Sequence, residues 1–166
     1  MKPFISHPNE KINIVNKKDR IIGVKSRREV HKKNLLHREV AVMVFNKDKE
    51  LLLSKLTKSN LWDVSCGGHL NAGESYLKAA KDEVKEELGL KNVKLKRLFK
   101  HYTDDPCFNP TNNRFIQVYK LVLSDGKLKM GKELKKLKFF NVKELKKMNK
   151  NQFSSRFLEI FKRMRL

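Results

Sequence analysis

The chain contains only two cysteines, Cys66 and Cys107. That is too few for a disulfide framework, so reduced thiols are expected. No apolar run approaches membrane-spanning length, and the opening residues MKPFISHPNEK carry no apolar signal region. The expectation is a cytoplasmic protein with no membrane partner. Repeats, low-complexity segments and interdomain linkers are also missing, and 166 residues suit one domain, 1–166, with a proper core. Negative charge is scarce: 18 Asp and Glu face 39 Lys and Arg, a formal net charge of +21. The cations are spread widely, with dense runs in 17–38 and 127–165. Such an excess draws in phosphorylated small molecules and makes RNA a candidate partner. No basic motif interleaved with aromatics of the RNA-binding kind is present, and a generally lysine-rich surface gives the same charge.

Local patterns give an order of elements. Residues 10–25 read as a hairpin, with Ile12, Ile14 and Val15 before the polar turn Asn16-Lys17-Lys18-Asp19 and an apolar return. A basic segment follows, then 40–45, which is continuously apolar and predicts a central strand buried on both faces. Residues 50–54 predict a second strand, and 61–65 a short extended piece leading into a glycine loop. Further strands are expected over 93–101, 114–123 and 137–140, with a proline-bearing loop over 102–113. Helices are expected over 142–148 and 152–165, the last with Phe153, Phe157 and Ile160 on its apolar face.

The stretch that organises the chain is 66–90, CGGHLNAGESYLKAAKDEVKEELGL. Gly67 and Gly68 allow a tight backbone path, and Asn71-Ala72-Gly73 makes a turn. The spacing predicts a helix from about Glu74 or Ser75 to Gly89, with Leu77, Ala80, Val84 and Leu88 as its apolar face. Glu83, Glu86 and Glu87 share one side of it and repel one another unless a cation sits among them. Hard oxygen donors suit Mg²⁺ or Mn²⁺.

This stretch resembles the Nudix box, the signature of hydrolases acting on nucleoside diphosphates linked to another group. The family pattern is glycine, five residues, glutamate, seven residues, arginine-glutamate, an aliphatic, any residue, two glutamates, any residue, glycine, an aliphatic. Gly68, Glu74, Glu83, Val84, Glu86, Glu87, Gly89 and Leu90 fall on it without a gap. Asp82 stands where the family has an arginine that braces the loop glutamate against the helix carboxylates. Lys78, four residues from both Glu74 and Asp82, can bridge the two on a helix. The resemblance implies an α/β fold, a Nudix-type α/β/α sandwich with a mixed sheet, here with an N-terminal β-hairpin (10–25), the box (68–90) and a C-terminal helix (152–165).

Residues 12–90 further resemble a subgroup close to type I isopentenyl-diphosphate isomerase, through the order hairpin, EVH, LLHR, apolar strand, WDVS, GGH. That resemblance implies a second metal site at His31, His37 and His69, and it puts Cys66 on the isomerase's catalytic cysteine. The isomerase's strand glutamates have no counterpart, since Asn112, Asn113, Arg114 and Gln117 stand there and no glutamate occurs between Glu87 and Glu133. Isomerisation needs a donor and a base on opposite faces, so the balance favours hydrolysis.

The resulting expectation is metal-assisted hydrolysis of a diphosphate linkage. Glu83, Glu86 and Glu87, with the backbone at Gly68, hold the metal. Glu74 orients the ligand-bearing helix and counts with them as catalytic. Arg38, Lys55 and Arg114 are candidates to hold the outer phosphate, and one of the helix glutamates, or Asp104 or Asp105, is the candidate base. The alternatives are an isomerase-like enzyme and a catalytically weakened module that binds RNA.

Overall fold

The computed structural model describes residues 7–103, 113–124 and 127–166. Its elements in chain order are β1 (Lys11–Val15), β2 (Ile21–Ser26), α1 (Arg27–Lys32), β3 (His37–Phe45), β4 (Leu51–Leu56), β5 (Trp62–Asp63) and β6 (Cys66–His69). Then follow α2 (Tyr76–Leu88), β7 (Lys96–Thr103), β8 (Arg114–Val122), β9 (Leu134–Phe140), α3 (Val142–Lys147), a 3-10 turn (Lys150–Gln152) and α4 (Ser155–Met164). The prolines of the 102–113 loop, Asp104, Asp105, Cys107 and Asn112 lie outside the described residues.

The apolar run becomes β3, the spine of a mixed sheet. One edge of β3 pairs in parallel with β8 along its whole length, from His37 opposite Arg114 to Phe45 opposite Val122. Its other edge is shared in relay by three antiparallel strands. β1 meets it at His37, β6 covers Glu39 to Val42, and β4 takes Val44 and Phe45. β2 extends the sheet beyond β1, β9 and β5 flank β4, and β7 flanks β8. The result is the expected mixed sheet with an N-terminal hairpin.

Side chains of β3 alternate between two cores, as the two-residue period of a strand requires. Ala41, Met43 and Phe45 join Trp62, Phe153 and Phe157 on the face covered by α4 and α3. Val40, Val42 and Val44 join Cys66, Ala80 and Val84 on the face covered by α2. Two helical layers thus enclose the sheet, as the box resemblance implied.

Helix α2 begins at Ser75, whose hydroxyl accepts from the Lys78 amide at 3.2 Å. It ends at Gly89, which has φ +70°, with Gly89 N–H on the Lys85 carbonyl and Leu90 N–H on the Val84 carbonyl. A side chain at residue 89 would be strained there and would also meet Lys129 Cβ at 2.7 Å. Gly89→Ala is therefore expected to cost about 1–2 kcal/mol, to be read from the urea midpoint of the variant.

The structure corrects several local expectations. The glycine loop is a strand, β6, because pairing with β3 satisfies its backbone from Cys66 to His69. The basic segment forms α1, capped by the Ser26 hydroxyl, which accepts from Glu29 N–H at 3.3 Å. Six residues with one buried side chain, Val30, leave no readable periodicity. Leu77 is 44% exposed, and Ala79 turns inward in its place, since two small residues let α2 approach the sheet. The expected 93–101 strand is shifted to Lys96–Thr103, and β9 starts at Leu134 rather than Leu137. The C-terminal helix starts at Ser155, after a separate 3-10 turn, because Ser154 caps it through Phe157 N–H.

Candidate active site

The glutamates of α2 line a cleft of about 720 Å³ whose walls come from the N-terminal segment, β6, α2 and the 130–133 loop. Gly68, on β6, faces Glu83. A Cβ on residue 68 would lie 2.1 Å from Glu83 Oε1, so only glycine leaves room for the carboxylate. A Cβ on Gly67 would lie 2.3 Å from the Val40 carbonyl oxygen, so the two glycines are needed for different neighbours. Burial pushes Glu83 up to about 7, with Glu86 adding to the shift and Arg156 and Arg27 opposing it. Burial likewise pushes Glu87 up to about 8, reinforced by Glu83 and opposed by Arg156 and a hydrogen bond from the Gly67 backbone. Two buried carboxylates poised to keep their protons form a donor set short of positive charge. Glu86 lines the same cleft.

Glu74 and Asp82 also line the cleft. Glu74 closes the turn before α2, its Oε2 accepting from Asn71 N–H at 2.9 Å. Lys78 Nζ reaches Glu74 Oε1 at 2.9 Å and Asp82 Oδ2 at 2.5 Å, the double bridge that the helical spacing allows. Asp82 is thus neutralised from its own helix. The pair is exposed, so its contribution to stability is small.

His31 from α1, His37 from β3 and His69 from β6 come together. Each offers a ligand atom within 4.8 Å of the others, and among the described residues these three are the group that meets this spacing. His31 Nε2 lies 2.8 Å from His69 Nε2, and the His37 and His69 rings are stacked. His37 Nδ1 is 2.9 Å from the Leu35 carbonyl oxygen, which makes it a protonated nitrogen and turns Nε2 toward the cluster. Burial drives the His69 pKa well below the usual histidine range, against the pull of Glu39, so its ring is neutral and able to ligate. His37 Nε2 and His69 Nδ1 are buried without a hydrogen-bond partner. His69 also lines the carboxylate cleft, so the two groups adjoin.

Beneath the histidines lies a buried charge network that the sequence reading missed. Glu39 Oε1 is 3.3 Å from His69 Nε2 and 3.6 Å from His37 Nε2, and its Oε2 is 3.4 Å from Arg114 Nε and 3.8 Å from Arg156 Nη1. Burial works to raise the Glu39 pKa, but the Arg114 and Arg156 charges beside it hold it well below the usual carboxylate range. Arg156, from α4, also forks onto Asp63 at 2.7 and 3.2 Å. A carboxylate at the head of an apolar strand was the one visible signal for Glu39.

The three cations expected to hold the outer phosphate do not line the cleft. Arg114 faces Glu39. Arg38 projects from the opposite side of β3 and pairs with Asp19 at 2.6 Å, 5.2 Å from the Tyr76 ring centroid. Lys55 lies over the Trp62 ring at 5.3 Å. The cleft draws Arg27 and Lys132 instead. Cys66 is buried on the α2 face, and burial, with Glu87 and Glu83 nearby, pushes its thiol well above the usual range. It is a packed thiol, not a thiolate.

Comparisons with known proteins agree with this geometry. The NUDIX domain family matches residues 35–161. An uncharacterized Nudix hydrolase of Pseudomonas aeruginosa is 32% identical over 129 residues, covering 75% of this chain and 73% of that protein. The isopentenyl-diphosphate Delta-isomerase of Serratia proteamaculans is 38% identical over 86 residues, 49% of this chain and 48% of that enzyme. Among solved structures, a Deinococcus radiodurans protein superposes with a TM-score of 0.76 at 22% identity, covering 93% of this chain and 98% of that one. The NUDIX domain of Shewanella oneidensis NrtR, solved with ADP ribose, gives 0.64 at 14% identity, covering 78% and 86%. Among the described residues no helix is long and apolar enough to cross a membrane. By its box, its sheet and its relatives, the chain belongs to the Nudix hydrolase family.

Proposed function

We propose that residues 1–166 work as one unit, a metal-dependent hydrolase that cleaves a diphosphate linkage in a nucleoside diphosphate derivative or a related organic pyrophosphate. The observation that carries this reading is Glu83 seated against Gly68 in a cleft shared with Glu86 and Glu87, two of the three pushed toward neutrality by burial and by a neighbouring carboxylate. Such a set of oxygen donors fits Mg²⁺ or Mn²⁺, held by Glu83, Glu86 and Glu87 with the backbone at Gly68. A divalent ion bound there supplies positive charge to a diphosphate and acidity to water. Glu74, fixed by Asn71 and Lys78, sets the start of α2 and so the aim of the three glutamates. Whichever of Glu83 and Glu87 is ionised is the acceptor for the proton released from the attacking water.

A second ion site at His31, His37 and His69 is supported by their mutual distances, the Nε2 that His37 turns toward the cluster and the neutral His69. Glu39 stands beside the cluster and supplies a carboxylate from β3. An isomerase-like activity is not favoured, because Cys66 is a buried, protonated thiol and β8 offers Arg114 and Gln117. Binding of RNA by the basic surface is not part of this reading.

The test is a phosphate-release screen with Mg²⁺ over nucleoside triphosphates, ADP-ribose, dinucleoside polyphosphates, capped RNA and isopentenyl diphosphate, with Glu86→Gln as control. The cocrystallised NrtR domain makes ADP-ribose the first compound to try. Turnover that requires the metal and collapses in the variant is expected. Metal-independent turnover, or turnover that survives Glu86→Gln, would overturn the reading. Titration of the same proteins with Mn²⁺ under electron paramagnetic resonance should show one class of sites lost in Glu86→Gln and another lost in His31→Ala.

A further inference from the structure

The cleft is lined by seven carboxylate residues, among them Glu10, Asp82 and Glu133, although the chain carries a net charge of +21. A diphosphate entering it meets few cations directly. Arg27 and Lys132 are the lysine and arginine of that lining. They come from distant parts of the chain, and the backbone around each is fixed.

Arg27 is the first residue of α1, and its amide donates to the Glu10 carbonyl at 2.8 Å. Its guanidinium is under-used. Nη1 reaches Glu10 Oε2 at only 3.4 Å, and Nε is buried without any hydrogen-bond partner. A buried N–H on a charged group without an acceptor is uncommon and calls for an explanation. A guanidinium presents its donors as a planar fork that matches two phosphate oxygens. Its charge also reaches Glu83, which places it at the carboxylates rather than at the outer surface.

Lys132 follows Gly131, and Gly131 is stapled to the end of α2. Its amide donates to the Glu87 carbonyl at 2.9 Å, and the Lys129 amide donates to the Leu88 carbonyl at 3.0 Å. A Cβ on Gly131 would stand 3.0 Å from Glu87 Cα, so the loop runs tight against the last turn of the helix. Lys132 is carried beside Glu86 and Glu87 by that staple, yet pairs with no carboxylate among the described residues.

We propose that Arg27 and Lys132 hold the phosphate groups of the substrate in the carboxylate cleft, Arg27 through its forked guanidinium and Lys132 as a point charge. This rests on the reading of the cleft as a diphosphate site and names the residues that make it selective for a multiply charged phosphate ligand.

The experiment is calorimetric titration of the Mg²⁺-loaded protein with inorganic pyrophosphate and with ADP-ribose, alongside thermal melts. Arg27→Ala is expected to weaken both ligands at least about tenfold, the scale of hydrogen bonds to a charged group. Arg27→Lys, which keeps the charge and loses the fork, should recover only part of this. Lys132→Ala should weaken binding several-fold, and Lys162→Ala, which removes one exposed charge from α4 outside the cleft, should leave it unchanged. In a turnover assay the Arg27 and Lys132 variants should raise KM more than they lower kcat. A folded Arg27→Ala protein that binds as wild type overturns the clamp alone, as does an equal loss in Lys162→Ala. A wild-type protein that binds neither ligand overturns the clamp together with the reading beneath it.

Discussion

Replacing Glu87 by glutamine is expected to cut kcat/KM by about a thousandfold, the scale of losing one preorganised electrostatic contact, while making the metal-free protein more stable in alkali. The two effects have one origin. The Glu87 pKa rises from 4.5 in the unfolded chain to about 8 in the folded one, chiefly by burial and then by Glu83. A carboxyl raised in this way favours the folded state fully below the unfolded value. That contribution disappears as the pH climbs through the folded value. At about 1.4 kcal/mol per pKa unit, the change across this window amounts to several kcal/mol. Glutamine never ionises, so the variant escapes the loss. Thermal melts in chelator should therefore coincide for the two proteins below about pH 4.5, separate progressively up to about pH 8 and keep a constant gap above it, with the variant higher. Adding Mg²⁺ should restore the wild type far more than the variant, because ion binding to the native state alone stabilises it. A variant that is no more stable than wild type in alkali would show that burial of this carboxylate is not the cost described.

Arg156→Met should be the most destabilising single change in the buried network. The arginine forks onto Asp63 and lies 3.8 Å from Glu39, and both carboxylates are almost wholly buried. Removing it leaves two buried negative charges with fewer partners, which costs about 3–5 kcal/mol. The pH dependence has the opposite sense to that of Glu87. Asp63 and Glu39 are both held below their usual values in spite of burial. Their contribution is present above the unfolded pKa values, 3.8 and 4.5, and is lost as the pH falls through the folded ones. The deficit of the variant should accordingly be largest near neutrality and shrink in acid. Urea unfolding at about pH 7 and about pH 2 measures it. A constant deficit would assign the loss to packing of the side chain's methylenes instead.

The box helix was legible because its evidence is local. Ser75, Gly89 and the glutamates stand at fixed short intervals, and Lys78 sits one turn from each acid that it bridges. The three histidines were legible only through resemblance, since nothing in the spacing of His31, His37 and His69 says that α1, β3 and β6 meet. Leu77 was misjudged because an apolar residue in the first turn of a helix fits either side of the stripe. Only the sheet decides that Ala79 goes inward. The glycine strand read as a loop because pairing with β3 is a long-range fact. That Arg38, Lys55 and Arg114 lie outside the cleft was hidden for the same reason. Each is held by a partner remote in sequence, namely Asp19, Trp62 and Glu39. Arg27 was hidden among the cations of its segment, and Arg156 on a helix read for its apolar face.

The fit of Gly68 against Glu83 bears on how such a chain can drift. Gly68 does not have a positive φ, so its own backbone does not demand glycine. The demand comes from the carboxylate across the gap. While residue 83 is a glutamate, a side chain at residue 68 forces its carboxylate out of the present position. Once residue 83 is shortened, that objection disappears and larger residues become admissible at 68. A lineage that gives up the carboxylate first is then free to fill the space, after which regaining the glutamate alone produces a clash. The order of mutations matters, and the pair acts as a ratchet: loss of the carboxylate is one step, and recovery is two.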